Sequence, residues 1–440
     1  MFRGVGQVCT YVLICVRIAV LVVVALFVPR LGIVYMQSRA QASECNASAR
    51  FKLGVENITR DFLISLTPKG DVSFTVGLIT NQSGCDQSGR RTLDILLDHG
   101  VTVKRVFVPE HGLDGTIKNH LNADTEFIDQ KTSTPVVMLY DKWTTKTLDK
   151  KLLEGIDVLF FDIQEMGIRH NTYLTTLFQA IESAAVHKKK LVVLDRPNIL
   201  GSCMEGPLVE DGLKSSISYA SIPVRHGMTI GELAMYFNTY CAKPKADLRV
   251  LTMENYNRYQ TSATTFPTRL SPNINSTNAC YGYSFLGMLA EVRPFDVALG
   301  TDKAFQCIAL PDSIKFSQKQ WYELRDLLKE SGVETCFHRY FSERKKQYCS
   351  GLLVRINDMN TVSSFKSLLS VLSFFKKSGI ELKFSKLFDL AVGTKKVREF
   401  LEGSSSKYEL ETTVNAYLHD FFAKASSVFK YRPYPYLIRL

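Results

Sequence analysis

Four apolar runs in the first half of this 440-residue chain each stop abruptly in a polar peptide, and this recurrence constrains the fold more than any other feature. Phe74-Thr75-Val76-Gly77-Leu78-Ile79 leads into Thr80-Asn81-Gln82-Ser83-Gly84. Val103 to Val108 leads into Pro109-Glu110-His111-Gly112. Ile156-Asp157-Val158-Leu159-Phe160-Phe161 leads into Asp162-Ile163-Gln164, and Leu191-Val192-Val193-Leu194 into Asp195-Arg196-Pro197-Asn198. Runs this short, rich in Val, Ile and Phe, read as strands. The near-continuous apolar character of 156–161 is that of a strand covered on both faces. Helical patterns separate them, over 51–69, over 92–99 with Leu93, Ile95, Leu96 and Leu97, and over about 171–186. Strands alternating with helices predict an α/β domain with a doubly wound parallel sheet. Ligands of such sheets bind beyond the carboxyl ends of the strands, so the polar peptides mark the candidate site.

The second half reads differently. Thr229 to Glu232 has capping-box spacing and starts a helix that runs to about Tyr240, and Leu248 to Met253 is strand-like. Residues 260–283 are rich in Ser, Thr, Pro and Asn, which places a domain boundary there. The expected domains are 51–265, a doubly wound domain, and 271–440, a smaller α+β domain. The latter has helices near 317–331, 361–377 and 386–402 and a strand at Leu352–Ile356. Its tail, 431–440, holds aromatics and Pro and suits a surface strap.

Composition excludes several functions. A net charge of +11 is modest for this length, and runs such as His187-Lys188-Lys189-Lys190 read as solvated faces. No zinc-finger or RNA-binding signature accompanies them, so no nucleic-acid partner is expected. The ten Cys form no C-x-x-C pair, which argues against a structural zinc site. No G-x-G-x-x-G follows the first strand, so no dinucleotide or other cofactor is expected. Residues 8–28 are apolar except for Arg17 and read as a signal sequence, with Ala40-Gln41-Ala42 as its cleavage motif, or as an uncleaved membrane anchor. Either way residues 1–42 stand apart from the folded domains, and the chain is expected to be exported, periplasmic or anchored to the inner membrane facing the periplasm.

The polar peptides occur in a fixed order, continued by Glu205-Gly206-Pro207, Pro223-Val224-Arg225-His226-Gly227-Met228-Thr229, Ser271-Pro272-Asn273, Gly300-Thr301-Asp302 and Phe388 to Thr394. This series resembles the NamZ-like exo-β-N-acetylmuramidase family, long catalogued as a domain of unknown function. The resemblance runs from about residue 74 to the C-terminus. It implies a Rossmann-like first domain, a smaller second domain, and a cleft where they meet. It also implies hydrolysis of N-acetylmuramic acid from the non-reducing end of peptidoglycan fragments, which would then be the partner. The chain departs from the family at Leu113–Lys118, where a basic residue is missing, at His170-Asn171, and at Glu291–Asp296.

Glycoside hydrolysis uses two carboxyl groups, one as acid and one as nucleophile or base. Glu110, beside a Pro at a strand end, is the first candidate for the acid. For the second, Glu205 in the loop after the fourth strand leads, followed by Asp162 and then Glu182. Asn81, Gln164, Tyr173, Asp195 and Asn198 are candidate substrate contacts. His111 and His226 are candidate donors to sugar hydroxyls, and Arg169, Arg196 or Arg225 would meet a substrate carboxylate in bidentate fashion. A metal site of His111, His226 and Asp162 lacks any close H-x-H pair, so no metal is expected. Two other functions fit the same fold: a non-catalytic binder of cell-wall fragments, and a nucleotide-dependent transferase, against which the missing Gly-rich loop speaks.

Overall fold

The computed structural model describes residues 50–68, 70–116, 125–141, 144–145, 147–258, 269–431 and 437–439. The apolar run at 8–28 and the Ala40-Gln41-Ala42 motif lie outside the described residues. Among the described residues, no helix is long and apolar enough to cross a membrane.

The first lobe is built on strands β1 (Thr75–Thr80), β2 (Thr102–Val108), β3 (Glu126–Ile128), β4 (Pro135–Met138), β7 (Val158–Asp162), β8 (Lys190–Leu194) and β10 (Asp247–Leu251). A two-stranded hairpin, β5 (Tyr140–Asp141) and β6 (Thr144–Thr145), follows β4, and the short β9 (Cys203–Glu205) follows β8. The sheet order is β10-β8-β7-β1-β2-β4-β3. Every neighbouring pair is parallel except β3 with β4, so the sheet is mixed only at one edge. The chain lays β2 and β4 on one side of β1, then returns to lay β7, β8 and β10 on the other. The winding reverses between β1 and β7, where Thr80 stands opposite Asp162.

Period-2 alternation explains the double coverage of this sheet. Val76, Leu78, Val106, Phe160 and Val192 enter one core, while Ile79, Phe107, Leu159, Phe161 and Val193 enter the other. Each of these side chains is fully buried, which contributes about 1.5–3 kcal/mol apiece before entropy is counted. Helices α1 (Arg60–Ile64), α2 (Thr92–Asp98), α3 (Thr172–Val186) and α4 (Ile230–Tyr240) cover the sheet. The helix expected over 51–69 is instead a 3-10 turn at Gly54–Asn57 and the short α1. Thr59 separates the two, its hydroxyl accepting from Phe62 N (3.1 Å) as an N-cap. The expected capping box at α4 is present, with Thr229 and Glu232 bonded reciprocally.

The second lobe holds α5 (Thr277–Leu289), β11 (Val292–Arg293), β12 (Cys307–Pro311), α6 (Gln318–Glu330), β13 (Glu334–Ser342), β14 (Gln347–Arg355), α7 (Ser364–Lys377), β15 (Lys383–Phe384), α8 (Lys386–Val392), α9 (Lys396–Glu402) and α10 (Lys407–Ala425). Strands β12, β14 and β13 form an antiparallel sheet that packs against α5 and α6. The single helix expected over 386–402 is two, because Gly393 adopts a left-handed φ of 84° and ends α8. The tail differs more. Phe421, Ala425 and Val428 belong to a core of the first lobe. Tyr431 is buried, donating to Asp195 and accepting from Met253 N (2.9 Å), and β16 (Leu437–Arg439) pairs with β9. The C-terminus is thus knitted into the first lobe rather than laid over its surface.

Candidate active site

The site begins where β2 ends. Pro109 lacks a backbone donor and cannot extend the ladder. The chain turns over Pro109–Gly112, closed by Gly112 N donating to Pro109 O (3.2 Å). His111 and Gly112 both take left-handed backbone, with φ of 75° and 76°. For a histidine that conformation costs about 1–2 kcal/mol, strain of the kind that gathers at functional sites. The turn carries Glu110 out to the N-terminus of α3, where Thr172 Oγ1 donates to its Oε2 (3.1 Å). His111 Nε2 lies 3.9 Å from Glu110 Oε1.

Glu110 and His111 open onto a cleft of ≈ 320 Å³. The first lobe supplies Met166, His170 to Tyr173 and Ser215 to Ile217; the second supplies Ser271, Asn273, Tyr283, Glu291, Phe305 and Leu390, among others. His170 is buried, and neither of its ring nitrogens has a hydrogen-bond partner among the described residues. Burial, and then the charge of Arg169, hold its pKa down to about 3, so the imidazole is neutral. Asn171 caps α3 through its Oδ1, leaving Nδ2 without a partner. Tyr283 packs its ring 4.9 Å from that of His170 and 4.7 Å from Phe305, and its hydroxyl donates to His170 O (3.3 Å). Gly287 makes this packing feasible, because a Cβ there would stand 2.8 Å from His170 Nε2. The cleft therefore offers a carboxylate beside neutral polar groups that still lack partners. A larger groove of ≈ 580 Å³ on the second lobe, between α7 and α10, is lined mainly by Leu, Phe, Val, Ser and Lys and contains only Glu411 as an acid.

Of the residues singled out in the sequence, Glu110, His111 and Tyr173 line the cleft. The others do not line it. Glu205 is fully buried, its Oε1 paired with Arg225 Nη1 (3.2 Å) and accepting from Ser364 N (2.8 Å). Its Oε2 accepts from Ser363 Oγ (2.5 Å). It thus sits paired with Arg225 at the N-terminus of α7, where the helix dipole favours negative charge. Asp162 is saturated likewise, by Arg196 Nε (2.5 Å) and Nη2 (2.8 Å) and by the Thr92 hydroxyl. Glu182 accepts from Tyr219 OH (2.5 Å).

The three arginines expected to meet a substrate carboxylate are occupied as well. Arg196 is bound to Asp162 and to Cys85 O (2.8 Å). Arg225 donates to Glu205, Val362 O, Met359 O and Leu200 O. Arg169 has no carboxylate partner among the described residues; it donates to Pro207 O (2.6 Å), Ile222 O (2.8 Å) and Ala391 O (2.8 Å), and burial lowers its pKa to about 9. Asp195 caps α4, accepting from Gly231 N (2.8 Å) and Thr229 Oγ1 (2.9 Å). Asn81 accepts from Ser83, Gln164 donates to Pro197 O (2.7 Å), and Asn198 donates to Met228 O (2.7 Å). His226 lies against Glu165, Nε2 to Oε2 3.2 Å. These groups set the shape of the loops that carry Glu110 and α3. His170, Asn171, Tyr283 and Glu291 also line the cleft, although none was singled out in the sequence as a site residue.

A doubly wound sheet with a carboxylate at a strand end, facing a small cleft closed by a second lobe, defines an α/β enzyme. Two family models, described as exo-β-N-acetylmuramidase NamZ N-terminal and C-terminal, match residues 76–278 and 281–431. A protein named peptidoglycan β-N-acetylmuramidase NamZ, from Bacillus subtilis, is 31% identical over 378 residues, covering 84% of this chain and 87% of that one. The chain belongs to the NamZ exo-β-N-acetylmuramidase family and is a glycosidase. A crystal structure of a DUF1343 family protein from Bacteroides fragilis is 29% identical, with a TM-score of 0.73 over 87% of this chain and 99% of that one. A second such structure from the same organism, 22% identical with a TM-score of 0.67, shares the fold.

Proposed function

We propose that this glycosidase acts on peptidoglycan and releases N-acetylmuramic acid from the non-reducing end of its fragments, with Glu110 protonating the departing oxygen. The observation that carries the reading is the Glu110 carboxylate, held by Thr172 in a cleft of ≈ 320 Å³. That volume lies at the small end of ligand sites, suited to one terminal sugar rather than a glycan running through. The unpartnered nitrogens of His170 and Asn171 suit hydroxyl and acetamido groups. With the three arginines engaged elsewhere, the lactyl carboxylate of the sugar meets His111 and the hydroxyl groups of the cleft. In this reading residues 51–265 carry the proton donor, and residues 271–440 complete the cleft. Export through residues 8–28, with the protein periplasmic or membrane-anchored, belongs to the same reading, and mass spectrometry of the mature N-terminus tests it.

The activity is tested by chromophore release from a para-nitrophenyl N-acetylmuramic acid glycoside, using the full chain beside Glu110→Gln. Turnover that collapses in Glu110→Gln supports the reading. An inert parent that still binds muropeptides would replace it with a binding protein of the same fold.

A further inference from the structure

Resting on that reading, we infer that Glu291 is the second carboxylate of the hydrolysis and that Ser385 positions it. Glu291 lies two residues beyond the end of α5 and lines the same cleft as Glu110, from the opposite lobe. Ser385, the N-cap of α8, holds it at two points. The Ser385 backbone N donates to Glu291 O (2.9 Å), and Ser385 Oγ donates to Glu291 Oε2 (2.6 Å). Among the described residues, Oε1 accepts no hydrogen bond and no Lys, Arg or His pairs with this carboxylate.

A purely architectural role explains Glu291 poorly. An unpaired carboxylate just past a helix C-terminus faces the negative end of the dipole, an arrangement that costs roughly 0.3–1 kcal/mol. Of the other acids considered for this role, Asp162 and Glu205 are each bound to an arginine, and Glu182, which like Glu291 accepts from a single hydroxyl, does not line the cleft. Tyr283 senses both cleft carboxylates. Burial first, then Glu110, then Glu291 raise the pKa of its hydroxyl. The two acids thus act on one group of the cleft wall.

The chemistry needs such a pair. Glu110 gives its proton to the glycosidic oxygen, which departs with the electron pair of the C1–O bond. Glu291 compensates the positive charge at C1, either by bonding to C1 until water displaces it or by taking the proton of the water that bonds there. In both cases one water is added across the C1–O bond, and the two carboxyl groups end in their starting protonation states once the proton returns to Glu110. Ser385 fixes one oxygen of Glu291 and leaves the other for this step.

The test compares full-length parent, Glu291→Gln, Glu291→Ala, Ser385→Ala and Ser385→Thr on the para-nitrophenyl substrate. Binding of N-acetylmuramic acid and thermal unfolding are followed in parallel. Glu291→Gln is expected to lose about 10³-fold in kcat while binding and unfolding temperature stay near parent values. Azide is expected to restore turnover in Glu291→Ala. Ser385→Ala is expected to lose about tenfold in kcat with little change in KM, and Ser385→Thr to recover most of it. An active parent with Glu291→Gln within threefold of it overturns this inference and leaves the glycosidase reading intact. An inert parent overturns both. Should Glu291→Gln fail to fold, the kcat of Ser385→Ala decides: parent-like turnover overturns the inference.

Discussion

The Thr172 hydroxyl donates to Glu110 across 3.1 Å, joining the first turn of one helix to the end of a strand that lies 62 positions earlier. This contact fixes one oxygen of the proposed acid and leaves the other toward His111. Thr172→Val is therefore expected to lower kcat about tenfold, the order expected for removing one hydrogen bond to a charged group. Thr172→Ser should recover most of the loss, and steady-state kinetics on the para-nitrophenyl substrate checks both.

Glu205 predicts the opposite split. It satisfies Arg225, Ser363 and Ser364 in a fully buried setting, so Glu205→Gln leaves a guanidinium without its anion. The expected cost is about 3–5 kcal/mol of stability. Urea unfolding should show that loss, while kcat per folded molecule stays near the parent value. A kcat loss of several hundredfold in a stable variant would return Glu205 to the chemistry.

His170 gives a pH dependence of definite sign. The folded protein holds it neutral down to about pH 3, whereas the unfolded chain binds a proton near the ordinary value of about 6.5. Between those values the unfolded state binds more protons, so stability is complete above the higher one and declines as pH falls. At about pH 5 the loss from this one group is about 2 kcal/mol. Urea unfolding at about pH 7.5 and about pH 5 should show His170→Gln losing about 2 kcal/mol less than the parent over that interval.

Gly287 tests the packing of the cleft wall. Alanine in a helix interior ordinarily adds about 1 kcal/mol relative to glycine. Here its Cβ would press on His170 Nε2 and the Tyr283 ring, both 2.8 Å away. Gly287→Ala is expected to raise KM at least severalfold, with an unfolding temperature no higher than that of the parent. Kinetics and a thermal melt on the same preparation decide it.

What the sequence made legible was local. The strands, the turn at Pro109–Gly112, the capping box at Thr229 and the position of Glu110 at a sheet edge all follow from residues within a few positions of one another. The roles of the charged groups did not, because burial and remote partners leave no local trace. Arg169, Arg196 and Arg225 have the chemistry of carboxylate receptors, yet Arg169 is tied to Ala391, 222 positions away, and Arg225 to Met359 and Val362. Glu291 was visible only as a departure from a motif, since the serine that holds it lies 94 positions later. Tyr431 read as part of a surface tail because its contacts with Asp195 and Met253 span the whole sheet lobe.

The buried charges of the first lobe are completed by atoms of the second: Arg169 by Ala391, Glu205 by Ser363 and Ser364, Arg225 by Met359 and Val362. Two family models describe the chain as halves meeting near residue 280, yet a cut there would leave the first half with buried charged groups that lack hydrogen-bond partners supplied by the second. The first half on its own would have to leave those groups to water or unsatisfied. What reads as two modules along the sequence is therefore a single interior, finished only when both have been made.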